Sequence, residues 1–134
     1  MGLEKIGQED ENVIKAMGAF GGGIASSGAI CGTLLGAIAV ISSLHGRGNL
    51  ADKENHRVWG VSNKLIKKFD QLTAPYGGSN CTDIARINWS DREEVREYYS
   101  NPDSRRKDCT QLVGDFALIL GEILEKEQSR LKRS

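Results

Sequence analysis

Between Met17 and Leu44 the chain carries no ionisable side chain except the thiol of Cys31, and every Lys, Arg, Asp and Glu lies outside this stretch. A segment of this kind has to leave water, either in the centre of a protein or in a membrane. Its continuous apolar part, residues 29–44, is shorter than the about 20 residues of a membrane span. The glycines before it also disfavour a helix that begins in lipid. We therefore expect a buried central helix, with a membrane helix as the lesser alternative.

The remaining apolar residues recur at helical spacing, and no run alternates in the manner of a strand. The pattern predicts helices over residues 9–17, 28–44, 52–72, 91–99 and 108–131, with one helical turn within residues 81–87. Ser90 is the expected N-cap of the fourth of these helices, because an acidic first turn follows it. The sequence therefore predicts an all-α bundle of four to five helices around a buried, glycine-striped central helix. A chain of 134 residues is expected to form a single helical domain.

The glycine stripe consists of Gly28, Gly32 and Gly36, which fall four residues apart on the predicted central helix. Glycine in a helix costs about 1 kcal/mol relative to alanine, so a close neighbour should explain it. That neighbour is either another helix, within the chain or across a homodimer axis, or a cofactor. The apolar helix needs more cover than four amphipathic helices supply, and we therefore expect a homodimer.

A glycine-rich loop is predicted over residues 19–27, ahead of the central helix. Its run Gly21, Gly22 and Gly23 is not preceded by a strand and is not followed by Gly-Lys-Ser/Thr, so it is not a nucleotide-binding motif. Glycines in such a loop supply positive φ angles that turn the chain.

The charge balance, 18 basic against 18 acidic residues, gives no electrostatic reason to bind nucleic acid or anionic lipid. The first eleven residues are polar and lack the basic and apolar regions of a secretory signal. We therefore expect a cytoplasmic protein that binds neither nucleic acid nor membrane.

Three cysteines, Cys31, Cys81 and Cys109, carry the most chemistry in the sequence. An odd number does not close a disulfide framework. Each is predicted at or near a helix N-terminus, where free amides and the helix dipole favour the reactive thiolate. The alternative is three buried thiols without a role.

The histidines do not complete a metal site with these thiols. His45 follows Cys31 by fourteen residues, which is about 21 Å along a helix at 1.5 Å per residue. The same separation keeps His45 from the hydroxyls of Ser26 and Ser27, which disfavours a hydrolase.

Several segments together resemble a known family. Phe20-Gly21-Gly22-Gly23-Ile24, then Cys31-Gly32-Thr33-Leu34-Leu35-Gly36, then Asn80-Cys81 and finally Cys109 before an apolar helix are similar to the C_GCAxxG_C_C family of redox-active proteins. The likeness covers roughly residues 13–124, and it extends to a domain of split-Soret cytochromes. Thr33 stands where that family has alanine, and no cysteine precedes Cys31 where the family has its first. We therefore expect that the chain starts too late to form a four-cysteine centre by itself.

The resemblance implies a redox-active thiol or iron–sulfur electron-transfer module. Cys31, Cys81 and Cys109 would then be the catalytic or metal-ligating residues, with an iron–sulfur cluster or a metal as the cofactor. Gly21, Gly22, Gly23 and Gly32 would lie beside it, and an electron-transfer protein would be the partner. Both versions require the three cysteines to converge. The alternative is a non-catalytic helical interaction or dimerisation protein that retains relic cysteines.

Overall fold

The computed structural model describes residues 1–133 and is helical throughout its regular structure. Its α-helices are α1 (Gly2–Lys5), α2 (Glu11–Ala16), α3 (Gly32–His45), α4 (Arg57–Thr73), α5 (Cys81–Ile84), α6 (Arg92–Ser100) and α7 (Arg106–Arg133), and a 3₁₀ turn (Ala74–Tyr76) follows α4. Residues 1–133 contain no strand, and an antiparallel bridge of one residue pair joins Ile30 to Asn80. The all-α prediction is confirmed. The number of helices exceeds the expected four to five because the pattern does not predict α1 and gives α5 only as a single helical turn.

The central helix begins four residues later than its apolar pattern predicts. Gly28 has a φ of +78°, and a Cβ there would lie 2.5 Å from Cγ2 of Thr82. The chain then runs through the bridge at Ile30 before α3 starts at Gly32. The predicted glycine stripe is therefore wrong, because Gly28 is outside the helix. A Cβ at Gly36 would meet nothing within 4 Å, so no neighbouring backbone explains that glycine either.

The core lies where α3, α4 and α7 pack together. Its largest side chains include Phe69 of α4 and Phe116 of α7, whose rings meet edge to face at 4.9 Å. The buried apolar residues of α3 are Leu34, Ala37, Val40 and Ile41. The opposite side of α3 is only half-buried, so the other helices of the chain leave part of its surface uncovered.

Helix α4 is amphipathic, as predicted, but it starts at Arg57 rather than at residue 52. The Asn55 side chain accepts a hydrogen bond from the Arg57 amide (3.0 Å) and so forms a turn before the first helical residue. Val61, Leu65 and Phe69 form its buried face at intervals of four residues.

Helices α6 and α7 lie close to their predicted positions. The N-cap of α6 is Asp91 and not Ser90, since Oδ1 of Asp91 accepts from the amides of Glu93 (2.9 Å) and Glu94 (3.3 Å). In residues 1–133 no helix combines the length and the apolar character that crossing a membrane requires.

Candidate thiol site

The bridge between the glycine loop and α5 brings Cys31 and Cys81 together. The Cys31 amide donates to the Ser79 carbonyl (3.1 Å), and the Cys81 amide donates to the Ala29 carbonyl (2.7 Å). Cys31 and Cys81 each directly follow one residue of the bridge pair, so they lie on neighbouring backbone segments, and the charge of Cys31 acts on the Cys81 thiol.

Gly23 borders this pair of thiols. Its φ is +69°, and a Cβ on it would lie 2.7 Å from Cβ of Cys81 and 2.5 Å from the carbonyl oxygen of Ala29. The backbone around it is left-handed from Gly22 to Ser26, with φ values between +49° and +69°. The loop can therefore approach Cys81 only because this position lacks a side chain.

The other three glycines that were predicted to lie at the site differ in their contacts. Gly22 packs against Ser26 within its own loop, and a Cβ on Gly32, the first residue of α3, would lie 2.7 Å from the Phe20 carbonyl oxygen. A Cβ on Gly21 would meet nothing within 4 Å. The role of these glycines beside a cofactor stays a prediction.

Cys109 is the fourth residue of α7, and the Tyr98 hydroxyl hydrogen-bonds to its thiol. Burial raises the pKa of the Cys109 thiol, the hydrogen bond from Tyr98 opposes this, and the charges of Cys81 and Cys31 raise the pKa further. The influence of both thiolates places Cys109 in the same neighbourhood. Burial also raises the pKa of Tyr98, so its hydroxyl stays protonated at neutral pH.

Cys81 receives a hydrogen bond from an aromatic side chain. The indole Nε1 of Trp89 donates to Sγ of Cys81 at 3.3 Å. Burial raises the pKa of the Cys81 thiol, the Trp89 bond lowers it, and the charge of Cys31 raises it.

The two hydrogen-bond donors touch each other. The rings of Trp89 and Tyr98 pack edge to face at 5.3 Å, and Tyr99 extends the group at 5.1 Å from Tyr98. We call Trp89, Tyr98 and Tyr99 the aromatic cluster. Through Trp89 and Tyr98 the cluster contacts Cys81 and Cys109, respectively.

The positions of the cysteines at helix N-termini are as predicted. Cys31 is the N-cap of α3, Cys81 is the first residue of α5, and Cys109 lies in the first turn of α7. The expected lowering of their pKa values is wrong for Cys81 and Cys109. At these two positions burial, which penalises the charged thiolate, outweighs the hydrogen bonds from Trp89 and Tyr98 that lower the pKa.

In the part of the chain that the structure describes, the thiols do not form a site for a single metal ion together with other side chains. Within residues 1–133 no three His, Cys, Asp or Glu side chains are placed to hold a metal ion. All three cysteines are free thiols of intermediate exposure. An iron–sulfur cluster on the three cysteines stays a prediction.

Comparison with models of protein families matches residues 1–123 to the family described as "Putative redox-active protein (C_GCAxxG_C_C)". The chain belongs to this family. The match covers the glycine loop, all three cysteines and the aromatic cluster. Neither the search of curated proteins nor that of solved structures gives a match.

Membership of the C_GCAxxG_C_C family confirms the resemblance read from the glycine loop and the cysteines. Sequence reasoning missed Trp89 and Tyr98. Trp89 lies between a short helix and an acidic cap, and Tyr98 lies near the end of a polar helix. Neither position has a spacing that indicates contact with a cysteine.

Proposed function

We propose that the chain is a thiol–disulfide redox protein in which Cys31 and Cys81 form the reacting pair. The observation that carries the proposal is the bridge, whose two backbone hydrogen bonds hold the segments of both cysteines side by side. The charge of Cys31 contributes to the raised pKa of Cys81, which is the mark of two neighbouring thiols. Oxidation of this pair requires that the two Cα atoms come within about 7 Å of each other.

The reaction balances with an external disulfide as the oxidant. One of the two cysteines loses a proton and attacks a sulfur of a partner disulfide, which releases one partner thiol and leaves a mixed disulfide. The other cysteine then attacks the protein sulfur of that bond. The products are a Cys31–Cys81 disulfide and a second partner thiol. A dithiol protein, in the role of electron-transfer partner, returns the pair to the reduced state.

Cys109 and the aromatic cluster surround this pair. Because Cys109 lies within electrostatic reach of Cys81, it is the third thiol that can resolve a mixed disulfide on Cys81. The proposal also places the chain in the cytoplasm, where thiols are kept reduced between reactions. In this proposal no electron passes through an iron–sulfur cluster.

The test is oxidation of the reduced, folded chain by glutathione disulfide, followed by peptide mapping without reductant. We expect a Cys31–Cys81 cross-link and the loss of two hydrogens from the protein mass. Cys31→Ser and Cys81→Ser should each abolish this cross-link, and Cys109→Ser should retain it. Metal analysis of anaerobically purified chain is the accompanying control.

Two results would contradict the proposal. If oxidation yields no disulfide among the three cysteines until the chain is denatured, the alternative of relic cysteines in an interaction protein is favoured. Stoichiometric iron with charge-transfer absorption would instead favour the cluster.

We further propose that two copies associate through the half-buried side of α3. This side carries Leu35, Gly36 and Ala39, and α3 has no Lys, Arg, Asp or Glu. A second copy would cover apolar surface that the other helices leave accessible.

A further inference from the structure

A groove between α4 and α7 has the features of an anion-binding site. It encloses about 490 Å³, within the range of small-molecule sites, and its floor is formed by Gly60, Val61 and Ile123. A Cβ at Gly60 would meet nothing within 4 Å, so the space above it is open. We call this cavity the α4–α7 groove.

Four cationic side chains line the groove: Arg57 and Lys64 from α4, and Lys126 and Arg130 from α7. On each helix the two belong to one face, because they are four or seven residues apart. Lys64, Lys126 and Arg130 have no ion-pair partner in residues 1–133, although the chain as a whole has no net charge. With Glu127 as the one carboxylate in the lining, the groove carries a net charge of +3, four cations less one anion.

Arg57 is held rigidly by a buried carboxylate. Its Nε donates to Oε2 of Glu127 at 2.7 Å, and its Nη2 donates to Oε1. The Glu127 side chain is only 7 % exposed, and Oε2 also contacts Nε2 of the buried His45 at 3.0 Å. The Asn55 amide reaches the other ring nitrogen of His45 at 3.3 Å, which fixes the imidazole.

This clamp leaves one edge of the guanidinium unused. An arginine has five N–H donors, of which Glu127 takes one on Nε and one on Nη2. The Nη1 atom and the second hydrogen of Nη2 are left to face a ligand. A planar fork of this kind matches the oxygens of a phosphoryl group, and its orientation is set before the ligand arrives.

We propose that the α4–α7 groove binds a small molecule that carries two or more linked phosphoryl groups, with Arg57, Lys64 and Arg130 contacting its oxygens. A diphosphate carries about three negative charges at neutral pH, which matches the charge of the groove. The site is independent of the thiols, since Glu127 follows Cys109 by eighteen residues of α7, about 27 Å.

The experiment is calorimetric titration of the full chain with inorganic pyrophosphate at about 0.15 M salt, where surface attraction is screened within about 8 Å. The groove variant is Lys64→Gln with Arg130→Gln, which changes exposed side chains and leaves the Arg57–Glu127 clamp intact. The matched control is Lys15→Gln with Arg92→Gln, which removes the same two charges from exposed positions outside the groove.

We expect one pyrophosphate per chain, at least tenfold weaker binding by the groove variant, and less than a twofold change for the control. Equal weakening by the two variants would show attraction by net charge alone and overturn the proposal, as would the absence of binding to the wild-type chain. A second arm uses vesicles containing an anionic phospholipid. Vesicle binding that pyrophosphate does not displace would assign the groove to a lipid surface and also overturn the proposal.

Discussion

The environment of Cys81 depends on two residues that are not cysteines. Trp89 supplies a hydrogen bond to the sulfur, and Gly23 lets the loop come close to it. The two residues shift the pKa of Cys81 in opposite directions. Close packing at Gly23 removes water from the thiol and raises its pKa, whereas the indole N–H of Trp89 replaces part of that hydration and lowers it. Each can be changed separately.

Replacing Trp89 by phenylalanine keeps an aromatic ring but removes the N–H donor. We expect the pKa of Cys81 to rise by up to about one unit, since a net hydrogen bond is worth about 1 kcal/mol. The measurement is the rate of Cys81 alkylation between pH 7 and 11, followed by mass spectrometry. Trp59→Phe is the control, because Trp59 is 61 % exposed on α4. An unchanged pH profile in Trp89→Phe would contradict the role of this bond.

Gly23 and Gly7 form a natural comparison, because both have a φ of +69°. Alanine in this conformation costs roughly 1–2 kcal/mol at either position. At Gly7 a Cβ meets nothing within 4 Å, whereas at Gly23 it meets Ala29 and Cys81 below 3 Å. We expect Gly23→Ala to lower the free energy of unfolding by about 1–3 kcal/mol more than Gly7→Ala in urea titrations. Equal losses would mean that the loop moves away from Cys81 easily.

At the scale of the helices, the limits of sequence reasoning can be traced to particular residues. The helical class and the ends of α3 and α7 follow from apolar spacing and from the glycines after His45. The start of α3 does not, because the left-handed turn at Gly28 depends on contact with Thr82, which is distant in sequence. The cysteines were predictable from their motif, whereas Trp89 and Tyr98 reach them only after α6 has packed.

The sequence does not predict either that Glu127 joins α7 to α3 and α4, since its partner His45 lies 82 residues away from it. Glu127→Gln removes the charge that meets Arg57 and His45. We expect a loss of about 2 kcal/mol in unfolding free energy at pH 7, less than a fully buried pair would give because Arg57 is 37 % exposed. Glu125→Gln, at an exposed pair with Lys5, is the control and should change little.

The pH dependence of this variant has a defined sign. The hydrogen bond from Arg57 is the largest cause that holds the pKa of Glu127 below its usual 4.5. Its stabilisation is therefore complete above the unfolded pKa and is lost as pH falls through the folded pKa. The difference between wild type and Glu127→Gln should shrink in urea titrations below about pH 4.5. A difference that is constant with pH would show that the charge of Glu127 is not responsible.

At the scale of the whole molecule, the thiols make the chain less stable in alkali. Burial raises the folded pKa values of Cys81 and Cys109 above the usual 9.0. The unfolded chain therefore loses these protons first, and stability falls as pH rises from about 9 towards the folded values. The double variant Cys81→Ser, Cys109→Ser should have a flatter stability profile between pH 8 and 10.5. An equally steep profile would assign the loss to other groups.

The proposed homodimer is tested by replacing Gly36 of α3 with glutamate and, as a control, Gly114 of α7 with glutamate. A Cβ meets nothing within 4 Å at either Gly36 of α3 or Gly114 of α7, so glutamate fits the single chain at both positions. Gly36 lies on the half-buried side of α3, where a second copy would bury the new carboxylate without a partner.

By light scattering we expect the wild-type chain and Gly114→Glu to have twice the mass of one chain, and Gly36→Glu to have the mass of one. Both variants should keep the helical circular dichroism of the wild type, because glutamate is a better helix former than glycine. A wild-type chain that is monomeric at every concentration measured would remove the dimer, and a dimeric Gly36→Glu would move its interface away from α3.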